Sequence, residues 1–502
     1  MNINFHRLFI ILFVFALPFL LFNSCKKEEF ETGSVNLEFS EDTIIFDTVF
    51  TRVGSATQIF SVYNTGDNDV KISSIRLANG TFSNYRLNVD GMPGKFFTDI
   101  EIGANDSMFI FVEVTVDPNN LNTPMIVSDS IIFIANDFQG DIDLVAWGQD
   151  AYFHTPPTNS QIAPFFFLTC NEIWTNDKPH VVYGYALVDS ACTLTVNEGS
   201  DVYFHPGSGI IVLNSGTLLV NGTQQNNVTF QGDRLGEDFK DIPGQWDRIW
   251  LSNINLYNPT LISPGPKTSS IKHAVIKNGT IGLLVDTSFD NNPANPTLVL
   301  ENTIIKNMTS HAIALRGSKV NAFNSVFANC GAQTTNILLG GIYNFYHCTF
   351  ANFWDDGQRQ DPAVTLNNYY IASTGLVIRN LNAYFGNCII YGDNDNELAF
   401  DSSSTGNQFG FKFHHTLLKV ESSFPTSDPL RYVSIVKAFD GSNNPAFADI
   451  DNNYYQLDSI NSPAIDVGDS NITQLNTILG NDILGTIRPQ RNGPDLGAYE
   501  RQ

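Results

Sequence analysis

Between residues 192 and 230 apolar residues come in pairs with one residue between them: Leu194/Val196, Val202/Phe204, Ile210/Val212, Leu218/Val220 and Val228/Phe230. The first four pairs start eight residues apart, at 194, 202, 210 and 218. Turn-forming stretches lie between them: Asn197-Glu198-Gly199-Ser200, His205-Pro206-Gly207-Ser208, Asn214-Ser215-Gly216 and Asn221-Gly222. Alternation with period two predicts short strands whose apolar side chains share one face. Three such strands predict a closed coil of roughly 22–24 residues, and stacked coils rise by about 4.8 Å each. No long stretch carries the 3.6-residue period of a helix.

Further along, one phrase recurs: Lys272-His273-Ala274-Val275-Ile276, Glu301-Asn302-Thr303-Ile304-Ile305, Phe323-Asn324-Ser325-Val326-Phe327, Tyr346-His347-Cys348-Thr349-Phe350, Gly386-Asn387-Cys388-Ile389-Ile390 and His414-His415-Thr416-Leu417-Leu418. Position two is Asn or His, position three is small, and positions four and five are aliphatic, Thr or Phe. The phrases start 29, 22, 23, 40 and 28 residues apart. Constant chemistry at varying spacing predicts stacked coils joined by loops of different size.

Before the solenoid, residues 34–151 read as strands and turns. Gln58 to Tyr63 runs into the turn Asn64-Thr65-Gly66-Asp67, followed by Val70 to Ile75, Ser107 to Val116, Asp129 to Ile134 and Ile142 to Ala146. This spacing predicts a β-sandwich of about 100 residues. Residues 152–164, with Pro156 and Pro157, read as a stiff linker, 165–440 as the solenoid, and 441–502 as a cap over its last coil.

Composition narrows the functional classes. The 502-residue chain carries 27 basic and 51 acidic residues, a formal net charge of −24. That balance disfavours nucleic acid and anionic lipid as partners and favours solubility. Charged residues make up only 16% of the chain and Phe is abundant, with 39 copies, which suits β-structure with tight turns.

The six cysteines contain no CxxC, which argues against a structural zinc site of that kind. Cys170 and Cys192 are a candidate disulfide or two buried thiols; Cys348 and Cys388 occupy position three of the phrase, as small core residues in place of Ser or Thr. Residues 1–24 hold Arg7 as their only formal charge and then the apolar run Leu8 to Phe22, the pattern of a secretory signal.

That signal ends Leu21-Phe22-Asn23-Ser24-Cys25 and resembles a bacterial lipoprotein signal, although Leu lies one place further upstream than is usual. The resemblance implies that Cys25 is the lipidated first residue of the mature chain, a tether over 25–33, and a membrane as partner. Lys26-Lys27-Glu28-Glu29 resembles the Lys-plus-acidic signals that send lipoproteins of certain Gram-negative bacteria from the outer membrane to the cell surface. The phrase from Phe60 to Ile75, with Asp106 to Pro118 and Trp147-Gly148-Gln149-Asp150, resembles immunoglobulin-like domains of the abnormal-spindle/hydin type, which act as spacers or binding modules. From about 165 on, Thr193 to Val196, Val202 to Phe204, Gly216 to Thr223 and Gly244-Gln245-Trp246-Asp247-Arg248-Ile249-Trp250 resemble the right-handed parallel β-helix families related to pectate lyases. The expected fold class is therefore all-β: an N-terminal immunoglobulin-like β-sandwich, then a right-handed parallel β-helix with a C-terminal cap.

The resemblance does not carry an active site across. Of the motifs of polygalacturonase-like enzymes only Asp355-Asp356 is present; Gly-His-Gly, Arg-Ile-Lys and the Trp-Ile-Asp-His of pectate lyases are missing. The longest interval between phrases holds the best candidates. In residues 353–370, Trp354, Tyr369 and Tyr370 form a candidate stacking platform for sugar rings, with Arg359 and Asp361 as hydroxyl-binding groups. Asp355 and Asp356 form a candidate carboxylate pair. Insertions at 231–247, 255–269 and 393–410 are candidate walls of the same cleft. Near the C-terminus Asp449, Asp451 and Asp466, with Asp469 and Asp495, offer oxygen ligands for Ca²⁺, the one cofactor considered, or simply serve turns. His273, His347 and His415 in one repeat column suggest either a metal or acid–base row, or a polar ladder bonded to turn backbone. The leading expectation is a non-catalytic surface protein that binds a polysaccharide or a cell-surface protein. The alternative is a polysaccharide lyase or glycoside hydrolase using Asp355 and Asp356.

Overall fold

The computed structural model describes residues 30–118, 124–157, 164–254, 268–286, 295–372, 375–403, 408–458 and 461–501. Cys25, the residues after it up to Glu29, and most of the insertion at 255–269 lie outside the described residues. The chain divides into two compact units, Met1–Asp150 and Ala151–Gln502.

The first unit is a sandwich of two five-stranded sheets. One runs Leu37–Phe39, Gln58–Asn64, Ser107–Val114, Tyr85–Val89, Met92–Gly94. The other runs Thr43–Phe50, Phe138–Gln149, Met125–Ala135, Ser74–Leu77, Phe96–Phe97. Alternate residues point inward. In Met125–Ala135 the buried Ile131, Phe133 and Ala135 meet Phe60, Val62 and Ile110 in one core. The Asn64 turn is held by its own side chain, which accepts from the Gly66 amide at 3.0 Å and donates to the Asn68 carbonyl at 2.8 Å.

The second unit is a parallel β-helix whose coils have three faces. Face one begins with Phe165–Phe167 and continues with Tyr185–Val188, Gly209–Val212, Trp246–Leu251 and Gly279–Val285. Face two begins with Ile173–Trp174 and continues with Thr193–Asn197, Thr217–Asn221, Ser269–Lys272 and Leu298–Glu301. Face three includes His180–Val182, Asp201–Phe204, Val228–Gly232 and Ala274–Lys277. Two long strands, His311–Phe323 and Thr335–Tyr346, serve faces one and two in succession. The second bends at Gly340, where φ is 65° and an added Cβ would lie 2.5 Å from the Asn380 carbonyl oxygen. One core runs the length of the stack. In it Phe345, Phe385 and Phe413 stack at 4.9 and 4.8 Å, the spacing of adjacent strands, and Tyr432 closes the row at 5.9 Å.

Three structural details differ from the sequence expectations or extend them. Tyr152–His154, expected in a linker, pairs with His180–Val182 and so begins face three. Cys170 and Cys192 form a disulfide between equivalent places in the first two coils, each just ahead of a face-two strand. The described residues of 441–501 run back from the last coil over earlier ones. They lie along the outer side of face three, where Tyr455, Ile483, Ala498 and Tyr499 cover Val326, Ala328 and Ala351. Leu457, Ala464 and Leu496 cover Ile389, Tyr391, Leu417 and Ala438. Face three is thus buried on both sides, which explains why positions four and five of the repeat are both apolar: Phe327, Ile390 and Leu418 point in, while Val326, Ile389 and Leu417 point out.

Candidate functional site

The repeat column sets the geometry of the corner between faces two and three. His273, Asn302, Asn324, His347, Asn387 and His415 all have positive φ, between 44° and 53°. Asn is the non-glycine residue that enters this region most readily, and His follows it. Position three closes the turn. Thr303, Ser325, Cys348, Cys388 and Thr416 each donate to the carbonyl two residues back, at 2.9–3.4 Å. The His/Asn side chains bond along the column and to the C-terminal segment. Asn302 Nδ2 donates to His273 Nε2 at 3.1 Å, and Asn387 Nδ2 to His347 Nε2 at 2.9 Å. Burial holds the His347 imidazole well below its usual pKa. The column is therefore a scaffold, and its histidines do not face one open site.

The corner between faces three and one carries the candidate site. A second Asn ladder lines it: Asn278 Nδ2 donates to the Lys240 carbonyl at 2.7 Å, Asn307 Nδ2 to Asp241 Oδ1 at 3.4 Å, and Asn329 Nδ2 to Asn307 Oδ1 at 3.0 Å. These bonds hold the 233–245 insertion against the coils, with Lys277 Nζ donating to the Lys240 carbonyl at 2.9 Å. The turn at 449–453 joins from the C-terminal segment, where Asn453 Nδ2 donates to Asn307 Oδ1 at 3.1 Å. Together with the loop after Asn352 they enclose an open cavity of about 260 Å³. Its walls carry Glu237, Asp238, Asp241, Asp355, Asp356 and Asp451, and among the described lining residues one lysine, Lys240, whose Nζ lies 2.5 Å from Glu237. Burial, with the neighbouring Asp355 charge, raises the Asp356 pKa. Burial lowers the pKa of Lys277 and Lys306, while Asp241 opposes it.

The sequence candidates separate in space. Asp355 and Asp356 line the cavity and are exposed. Trp354 is half-buried, with its ring against Gly331. Arg359 is not available to a ligand. Its side chain is 3% exposed and grips both carboxylate oxygens of Glu397 at 2.6 and 2.8 Å, and also donates to the carbonyls of Asp361 and Asn352. Asp361 Oδ1 accepts from Gln333 Nε2 at 3.1 Å. Tyr369 and Tyr370 do not share a platform with Trp354, because the strand Val364–Asn367 carries the chain across face one before they occur. They sit on a hairpin, Tyr369–Ala372 with Gly375–Ile378, where the Tyr369 hydroxyl donates to Asp401 and Tyr370 is exposed.

The Asp set considered for Ca²⁺ is also divided. Asp449 caps its own turn through the amide and side chain of Asn452. Asp451 faces the cavity. Asp466 lies beside Asp495, whose Oδ1 accepts the Asp466 amide at 2.8 Å. Among the described residues the one trio of His, Cys, Asp or Glu ligand atoms lying within 4.8 Å of one another is His414, His415 and Asp469. Among the described residues Asp449, Asp451 and Asp466 therefore do not share an ion, and the cavity carboxylates do not gather into such a trio either. Sequence patterns alone do not single out Glu237, Asp238 and Asp241. Their one signal is a charged run inside an insertion that leaves face three at the same corner as Asp355.

No protein-family profile and no curated protein matches the chain. Partial likenesses to solved structures exist. A family 123 glycoside hydrolase from Clostridium perfringens is 11% identical over 24% of this chain and 31% of that one, with a TM-score of 0.17. A protein of unknown function from Porphyromonas gingivalis is 15% identical over 25% of this chain and 50% of that one, with a TM-score of 0.18. The human CEP192 ASH/PapD-like domain is 11% identical over 26% of this chain and 94% of that domain, at 0.17. The likenesses thus span a third to a half of the first two proteins, and at these scores they carry no weight for fold or function.

Proposed function

We propose that this protein is a lipid-anchored protein of the outer-membrane surface whose β-helix binds a glycan without cleaving it. Cys25 is the anchor and the sandwich, read as immunoglobulin-like, is the spacer. The solenoid is read as a right-handed helix of the pectate-lyase-like kind. The observation that carries the binding reading is the cavity of about 260 Å³, lined by six carboxylates from three separate segments fixed on rigid coils. Carboxylates lining an open cavity accept hydrogen bonds from hydroxyls, which suits a neutral or cationic sugar. The same charge opposes an anionic polymer.

A second reading is kept for one reason. Asp356, whose pKa burial raises, stands next to Asp355, and a carboxyl of raised pKa beside a second carboxylate is an ingredient of acid–base glycoside cleavage. One experiment separates the two. The full chain is titrated with neutral, amino-bearing and uronate oligosaccharides while products are followed by chromatography. Binding without products, weakened at least tenfold in Asp355→Ala/Asp356→Ala, supports the binding reading. Products that vanish in Asp356→Asn support the hydrolase. Failure to bind any of the three classes overturns both.

A further inference from the structure

The corner between faces two and three holds a second group of donors, outside the acidic cavity. We infer that His414, His415 and Asp469 form a binding site for a divalent transition-metal ion, Zn²⁺ fitting best, which staples the C-terminal segment to the end of the solenoid. One nitrogen of each imidazole and one carboxylate oxygen lie within 4.8 Å of one another. His414 Nε2 and Asp469 Oδ2 are 3.7 Å apart. Ligands about 2.0–2.1 Å from a tetrahedral zinc are roughly 3.4 Å from each other, so small side-chain rotations bring the set to coordination distance. Two imidazoles and a carboxylate, with water in the fourth place, make a donor set for zinc and its neighbours rather than for Ca²⁺ or Mg²⁺.

Each donor is held from behind. The Tyr384 hydroxyl is 2.9 Å from His414 Nδ1, which leaves Nε2 for the ion. His415 is fixed in the left-handed conformation, with φ 49°, by its place in the repeat. Among the described residues its buried Nδ1 has no hydrogen-bond partner, a cost that coordination to an ion would remove. Asp469 comes from the other side of the joint. Its amide donates to Asn387 Oδ1 at 2.8 Å and its carbonyl accepts from Asn387 Nδ2 at 3.0 Å. Its Oδ1 caps the short helix Ser470–Thr473 by accepting the Asn471 amide, so Oδ2 is the oxygen turned to His414. The His414 and Asp469 side chains are 21% and 18% exposed, enough for an ion and a water to enter.

The test uses the tag-free full chain after treatment with a chelator. Isothermal titration with ZnCl₂ should show one site per chain, and zinc should raise the melting temperature and slow proteolytic cleavage within the segment 441–501. His414→Ala and Asp469→Asn should weaken zinc binding at least a hundredfold. Tyr384→Phe, which removes only the orienting contact, should weaken it about tenfold. His205→Ala removes a histidine paired with Asp233 elsewhere, and should bind zinc as the natural chain does. Co²⁺ in place of zinc should give visible bands of a four-coordinate ion, which report the site directly even if a variant folds poorly. No zinc binding by the natural chain overturns the inference. So does binding that survives in both His414→Ala and Asp469→Asn.

Discussion

At the scale of single residues, backbone conformation explains the repeat column better than side-chain chemistry does. Six consecutive coils place position two in the left-handed region, which costs most L-residues about 1–2 kcal/mol. This gives opposite expectations for two substitutions at Asn302. Asn302→Gly removes the contact to His273 and relieves the backbone, so it should change stability by less than about 1 kcal/mol. Asn302→Val should cost about 2 kcal/mol or more, because a β-branched side chain fits this conformation worst. Urea denaturation of both variants checks this; equal losses would mean that the ladder bonds dominate. Arg359 makes a different kind of point. In the sequence it is a charged residue in a polar loop, and only a partner 38 residues later, Glu397, makes it a core ion pair. Burial raises the Glu397 pKa, while Arg359 and two backbone amides oppose the shift. Arg359→Ala would leave the carboxylate unpaired inside the protein and should destabilise the unit by about 3–5 kcal/mol. Denaturation midpoints compared with Arg491→Ala, at an exposed arginine where the change should be near neutral, would read this out.

At the scale of elements, the C-terminal segment is where sequence reading and structure diverge most. The coils themselves are legible because a two-residue period and a recurrent turn are local signals: Leu194/Val196 and Leu218/Val220 do pair in register. The docking of residues 441–501 is not local. Asn324 reaches Ile478 and Asn481 over more than 150 residues, and no pattern of spacing encodes that. One clue is present, namely consecutive apolar residues at Val326-Phe327, Ile389-Ile390 and Leu417-Leu418, where a strand with one wet side would alternate. The docked segment also predicts a pH response. Glu500, 1% exposed, is pushed up to about 7, chiefly by burial and further by Asp495, although the Arg488 guanidinium lies 3.3 Å away. With the folded pKa above the unfolded one, the folded state binds the extra proton between pH 4.5 and about 7. Stability should therefore fall as pH rises through that window, by at most about 1.4 kcal/mol per unit. Asp495, raised in the same direction by burial, adds to the trend. Glu500→Gln should flatten the dependence, as measured by thermal melts at pH 5, 6, 7 and 8.

At the scale of the whole molecule, the acidic cavity is partly legible in the sequence. Asp355 and Asp356 stand out as a pair, and the 231–247 insertion as a wall. Asp451 stands out only as one of several C-terminal aspartates, and the convergence of all three depends on how coils of unequal length stack. The same global view bears on the proposed setting. With 51 acidic against 27 basic residues, the chain repels anionic polymers over about a Debye length, roughly 8–10 Å at physiological salt. If the cavity binds a glycan, affinity for a uronate oligomer should therefore rise with added NaCl, while that for its neutral counterpart should stay level. An amino-bearing oligomer should do the opposite, losing affinity as salt screens the attraction. If all three respond alike, the carboxylates are not the binding groups. The anchor is tested separately. Cys25→Ser should abolish incorporation of labelled fatty acid and move the protein from the membrane to the soluble fraction, since the thiol of Cys25 is the one nucleophile the proposed lipid attachment uses. The glycan titrations of that soluble variant should match those of the detergent-solubilised natural chain, because every cavity residue lies in the second unit, more than 200 residues from the anchor.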